Sequence, residues 1–157
     1  MATDLPLIDE FDTVIEAPSS RVFTALVLTV GRSFEGLGGR AFTALLGCRH
    51  RGASYTVPPS VGQEINGFRV AEVSEPGNLV LEGEHRFARY RLAFVIEPLG
   101  EGRSRLRART DALFPGLRGS VYRALVIGSG GHAFIARRLL AVVARAAVRD
   151  QNRDFAA

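Results

Sequence analysis

The apolar residues of this chain change their spacing several times, and each change marks an element. Phe11, Thr13, Ile15 and Ala17 alternate with Asp12 and Glu16, the period of two that a half-buried strand requires. Pro18, Ser19 and Ser20 then supply helix-start chemistry. Val22, Phe23, Leu26, Val27 and Val30 follow at helical spacing, which predicts a helix over Ser19 to Val30 with Gly31 as its stop. Past Gly36, Gly38 and Gly39, the spacing of Ala41, Phe42, Leu45 and Leu46 predicts a second short helix ended by Gly47. From Arg49 the pattern turns to strands, predicted over Arg49 to Val57, Gly67 to Val73, Leu79 to His85, Arg89 to Glu97 and Arg103 to Leu113.

The last long stretch, Gly119 to Val148, is helical again. Val121, Leu125, Ile135, Leu139, Val142 and Ala146 supply its apolar positions, while Arg123, Arg137, Arg138, Arg145 and Arg149 gather on the other side of the wheel. His132 falls nearly opposite those arginines, in the middle of the face turned toward the protein. Gly128, Ser129, Gly130 and Gly131 interrupt the helix, and each glycine there costs up to about 1 kcal/mol relative to alanine, so a kink or break is predicted. An antiparallel sheet with one wet face must cover the other, and the terminal helix is the only predicted element large enough. The fold class is therefore α+β, with six strands.

The polar faces of the strands fix part of the register. Leu106, Ala108, Thr110 and Ala112 share one face of the last strand, and Arg103, Arg105, Arg107 and Arg109 share the other. Keeping the apolar faces of the last two strands together requires an odd connecting loop, met by Gly100 to Gly102. This sets Glu97 opposite Arg105 and Arg91 opposite Asp111. The same parity argument pairs His85 with Tyr90 and Glu84 with Arg91 across the preceding hairpin.

Composition changes this picture only in places. A chain of 157 residues fits one domain, 1–157, and no apolar run approaches the roughly 18 to 20 residues that cross a bilayer. Met1 to Asp9 carries acids and no basic n-region, so it does not read as a signal peptide and a cytoplasmic location is expected. The single cysteine, Cys48, has no disulfide partner and reads as a small buried hydrophobe. All 20 basic residues are arginine, which removes lysine Schiff-base chemistry. The net charge of +4 would suit an acidic partner, yet no basic run with interleaved aromatics appears, so nucleic-acid binding is the weaker reading. No nucleophile elbow, phosphate-binding glycine loop or His-Glu-x-x-His motif occurs, and histidines at 50, 85 and 132 do not cluster, so no cofactor and no metal are expected.

Three segments resemble the START/Bet v1-like superfamily of helix-grip proteins, which includes polyketide cyclases and lipid-transfer proteins. They are Thr13-Val14-Ile15-Glu16-Ala17-Pro18-Ser19-Ser20-Arg21-Val22-Phe23, Val61-Gly62-Gln63-Glu64-Ile65-Asn66-Gly67-Phe68-Arg69-Val70, and the terminal helix. The resemblance covers nearly the whole chain. It implies a curved six-stranded antiparallel sheet wrapped around a long C-terminal helix, two short helices after strand one, and a cavity that admits a hydrophobic small molecule.

Against that background a few polar residues on inward faces become candidates for a site. His132 could orient a ligand carbonyl or act as a general acid or base, or simply bond a carbonyl freed by the glycine break, which weighs more. His85 and Tyr90 would stand together at one mouth of the cavity. Tyr55 and Thr110 are weaker candidates of the same kind. Leu92, Phe94 and Leu106 from the strands, with Leu125 and Ser129 from the terminal helix, complete the expected lining. Three functions remain open: binding of a hydrophobic or amphipathic molecule, a cyclase or aromatase with His132 or His85 as acid-base catalyst and Tyr90 as donor, and an interaction protein using its outer arginine face. Oligomeric state is unmarked.

Overall fold

The structure is a computed structural model that describes residues 5–35, 47–50 and 52–155, with side chains up to residue 149 apart from that of Glu35. Strands β1 (Leu7–Ile15), β2 (Glu64–Ile65), β3 (Phe68–Ser74), β4 (Asn78–His85), β5 (Ala88–Gly100) and β6 (Arg103–Leu113) form one antiparallel sheet in the order β1-β6-β5-β4-β3-β2. Helix α1 (Ser19–Glu35) follows β1, and α2 (Gly116–Val126) and α3 (Gly131–Phe155) close the chain. This is the helix-grip arrangement that the resemblance implies. The predicted second short helix, Ala41 to Leu46, lies outside the described residues. Among the described residues no single helix is long and apolar enough to cross a membrane.

Helix α1 buries the face predicted for it, with Val22, Phe23, Leu26, Val27 and Val30 all inside. Its start is tied to the sheet by Ser104, whose hydroxyl donates to the Ala17 carbonyl at 2.9 Å and meets the Ser19 hydroxyl at 3.1 Å. The helix does not stop at Gly31. It runs on to Glu35, because the absent side chain at 31 accommodates the ring of Tyr55, whose hydroxyl donates to the Val27 carbonyl at 3.0 Å.

Among the described residues of the strand predicted over Arg49 to Val57, the sheet contact is one isolated bridge, Ala53 to Ile65. Side-chain bonds take the place of a ladder there: the Glu64 carboxylate holds His50 Nδ1 at 2.9 Å and accepts from the Gly52 amide at 3.0 Å, while its carbonyl accepts from both Ser54 and Tyr55. The sixth strand is instead the two-residue β2, which the sequence pattern did not mark.

Pairing of β5 with β6 places Glu97 opposite Arg105 and Arg91 opposite Asp111, as parity requires. The turn is tighter than predicted, because Gly100 pairs with Arg103 after a bulge and only Glu101 and Gly102 remain in the loop. Only the first of the two cross-strand charge pairs forms. Arg105 lies 4.0 Å from Glu97 and 3.4 Å from Asp12, but Arg91 turns to Glu72 at 2.8 Å and Asp111 is held by Arg109 at 2.8 Å. Arg107 meets Glu10 and Glu97, so the outer arginines of β6 find carboxylates within their own chain.

The β4–β5 register departs from expectation by two residues. His85 pairs with Ala88, Glu84 with Arg89 and Gly83 with Tyr90, around a two-residue turn at Arg86 and Phe87. Parity alone cannot separate the two registers, since both keep the apolar faces together.

The terminal helical stretch breaks at Ile127–Gly130, and the two helices meet at 54°. The break resets the helical phase. Among the described side chains of α3 the buried positions are Ala136, Leu140, Val143 and Ala147, one residue beyond the predicted Ile135, Leu139, Val142 and Ala146, and Ile135 is 67% exposed. Helix α3 rests chiefly on α1 and β1. The sheet is therefore covered by α1 and α3 together, and the expectation that the terminal helix alone covers it does not hold.

Candidate functional site

Side-chain size along the inner face of the sheet decides where the interior is solid and where it is hollow. The row Phe11, Ala108, Phe94 and Leu79, and the neighbouring Leu106 and Ile96, form a filled core under α1. Two rows further along, Ala112, Tyr90 and Gly83 stand in line, and between them lies the row Asp9, Thr110, Leu92 and Leu81. Ala112, with Ala88 and Thr110 beside it, leaves room at that end for a cavity of about 380 Å3. Phe34, Phe68 and Phe114 contribute apolar walls, and Tyr122, Val126 and Ile127 of α2 and the break line it from the helical side.

His85, Tyr90, Leu92, Thr110 and His132 all line this one cavity. Phe94 and Leu106 are instead fully buried in the core, and Tyr55 is committed to α1. Leu125 is 67% exposed, and Ser129 is spent at the helix break, where its hydroxyl accepts from the Gly131 amide at 3.3 Å. The misplacement of Leu125 has the same origin as that of Ile135, a wheel drawn continuously through the break.

The polar groups of the cavity are held in defined states. Tyr90 reaches across Gly83 to donate to the Gly67 carbonyl at 2.8 Å, with Cys48 Sγ at 4.0 Å. A Cβ on Gly83 would collide with the Tyr90 ring and the Gly67 carbonyl oxygen, so glycine is required there. Burial, with Cys48 beside it, pushes the Tyr90 phenol well above its ordinary range and keeps it protonated. His85 is buried against Tyr122, with ring centroids 4.9 Å apart, and lies 5.5 Å from Tyr90, so the two remain neighbours despite the shifted register. Desolvation pushes its imidazole below the ordinary histidine value, which favours the neutral ring. The Phe87 amide donates to His85 Nδ1 at 3.1 Å, so the neutral ring carries its hydrogen on Nε2.

His132 does not bond a carbonyl freed by the glycines. Its Nδ1 lies 2.9 Å from Asp9 Oδ2 of β1, with both side chains mostly buried. Asp9 lies outside the strand that the alternation from Phe11 predicts. Carrying the period of two back one step puts Asp9 in phase with Phe11, Thr13 and Ile15, and that phase was the available signal. Among the described residues no group of three or more His, Cys, Asp or Glu side chains is arranged to hold a metal ion.

A second depression, of about 400 Å3, lies among Arg49, Arg69, Glu82, Glu84 and Arg89. Three of its charges meet one another, with Glu84 3.2 Å from Arg49 and 3.3 Å from Arg89. The apolar cavity is the better ligand site on chemical grounds.

No sequence family matches the chain, and no curated protein does. Solved structures do. A point mutant of Thalictrum flavum norcoclaurine synthase in complex with a transition-state analogue aligns with a TM-score of 0.52 at 12% identity, over 91% of this chain and 94% of that one. A protein from Chromobacterium violaceum aligns with a TM-score of 0.52 at 13% identity, over 89% and 96% of the two chains. Ara h 8.0201 aligns with a TM-score of 0.50 at 11% identity, over 90% and 97%. At such identities the likeness is one of fold.

Proposed function

The chain has the START/Bet v1-like helix-grip fold, and from the hollow inside it we propose that the protein binds a hydrophobic or amphipathic small molecule carrying a hydrogen-bonding oxygen. The carrying observation is a cavity of about 380 Å3 with aromatic and aliphatic walls and a minority of fixed polar groups. Removal of the ligand's apolar surface from water, at about 25 cal/mol per Å2, supplies the affinity. His85 and His132 set the orientation: among the described residues neither Nε2 has a hydrogen-bond partner in the chain. The outer arginine face is less favoured as a function, since its charges are met by Glu10, Asp12, Glu97 and Asp111.

Native mass spectrometry of the protein purified from its own host, with extraction of any passenger, tests the reading together with an Ala112→Phe variant that fills the hollow end of the sheet. A stoichiometric apolar passenger in the wild type that is absent from the folded variant is expected. No binding by the wild type across a series of apolar ketones, phenols and fatty acids, or binding indifferent to Ala112→Phe, would overturn it.

A second reading, an enzyme of the cyclase or aromatase kind, is favoured by one specific observation, the Asp9 carboxylate bonded to the cavity-lining His132.

A further inference from the structure

The two cavity histidines are fixed in opposite tautomers by groups that cannot exchange roles. A backbone amide can only donate, so His85 Nδ1 accepts from Phe87 and its Nε2 carries the hydrogen. A carboxylate oxygen can only accept, so His132 Nδ1 carries the hydrogen that it gives to Asp9 Oδ2, and the lone pair of the neutral ring is on Nε2. One apolar cavity thus holds a hydrogen-bond donor that burial keeps neutral and a base backed by a carboxylate.

We propose that the cavity catalyses proton transfer at the carbon next to the carbonyl of an apolar ketone, with His132 Nε2 taking the proton and His85 Nε2–H holding the carbonyl oxygen. The proposal rests on the binding reading above and names a substrate class for that site. The step balances without an oxidant or cofactor. The C–H bond breaks, its electrons form the C=C bond of the enolate, and the carbonyl π electrons move to the oxygen, where the His85 hydrogen bond stabilises the charge. The proton passes to His132, and the imidazolium so formed faces the Asp9 carboxylate. Return of a proton from His132 to carbon restores the ketone. The chain has no lysine, so an iminium route through this protein's own side chains is closed. Asp9 is a positioning residue: it fixes the tautomer and offsets the charge of the imidazolium, and it touches no substrate.

Exchange of hydrogen for deuterium at the α-carbons of 2-tetralone in D2O, followed by proton NMR, reads the step directly, and calorimetric titration of the same ketone reads binding. The wild type is expected to speed exchange above an equal concentration of free imidazole. His132→Gln should lower that rate by about 100-fold or more, the usual scale of general-base catalysis, while still binding 2-tetralone measurably through the apolar walls. Asp9→Asn should lower kcat for exchange and leave KM unchanged, a split that loss of packing would not produce. His85→Phe, which keeps an apolar ring, should lower exchange while His132 is intact. Binding of 2-tetralone with equal exchange by wild type and His132→Gln overturns the proposal and leaves the binding reading standing. Failure of the wild type to bind 2-tetralone also overturns it, and failure across the wider ligand series removes the binding reading as well.

Discussion

Gly83 and Tyr90 face each other across β4 and β5, and the tyrosine ring occupies the space that a side chain at 83 would need. The hydroxyl passes over that glycine to the Gly67 carbonyl, tying β5 to the turn before β3. Gly83→Ala should therefore destabilise the protein by about 1 to 3 kcal/mol, the usual cost of overfilling a tight site, and should displace Tyr90 from Gly67. Urea unfolding measures the first effect, and a shift in affinity for an apolar ketone the second. Tyr90→Phe, which keeps the ring and loses the bond, should cost about 0.5 to 1.5 kcal/mol.

The phase of α3 gives a sharper comparison. Leu140→Ala should cost about 2 to 5 kcal/mol because the side chain is fully packed, whereas Ile135→Ala on the exposed side should stay within about 0.5 kcal/mol. Parallel denaturation curves of the two variants check it; equal losses would place the buried face where the uninterrupted wheel puts it.

Ser104 is a small residue with a large expected effect. It is fully buried and donates to the Ala17 carbonyl, so Ser104→Ala strands that acceptor and should cost about 1 to 3 kcal/mol. Thermal unfolding is the measurement. Ser19→Ala, which removes only the partner hydroxyl, should cost less.

Acid should weaken the fold through His85. Burial places its folded-state pKa below the ordinary histidine value of about 6.5, so the unfolded chain takes up the proton first as pH falls. Stability contributed by the neutral ring is then complete above about pH 6.5 and declines as pH drops from there toward the folded-state value. Urea midpoints between pH 8 and pH 5 should show a steeper decline for the wild type than for His85→Gln.

Much of the architecture could be read from spacing alone. Alternation located β3 to β6 within a few residues, and the helical period found the buried face of α1, because each of those elements has one wet and one dry side. Spacing failed where something other than burial periodicity held the chain. Glu64 holds His50, Gly52, Ser54 and Tyr55 through its side chain and carbonyl, so the β-like composition of Arg49 to Val57 produces one bridge among the described residues. Beyond Gly131, apolar residues fill adjacent positions 139 and 140, 142 and 143, and 146 and 147, and the choice within each pair depends on a phase that the break erases. Of the cavity residues, His85, Tyr90, Leu92, Thr110 and His132 are legible in the sequence as polar or apolar positions on inward faces, whereas Phe68, Ala88 and Ala112 carry no mark beyond the ordinary apolar alternation. The acid facing His132 lies one step of two residues before the predicted strand, and the role of Gly83 depends on a ring arriving from the next strand, which no local pattern records.

The 54° bend separates two duties along the last forty residues. Helix α3 is anchored to α1 through Leu140, Val143 and Ala147, while α2 presents Tyr122 and Val126 to the hollow and leaves Leu117, Val121 and Leu125 outside. Changes between 117 and 127 thus remodel the chamber without loosening the anchor, and changes on the buried side of α3 do the reverse. On the proposed binding reading, drift over 117–127 alters ligand preference while the buried side of α3 keeps the fold.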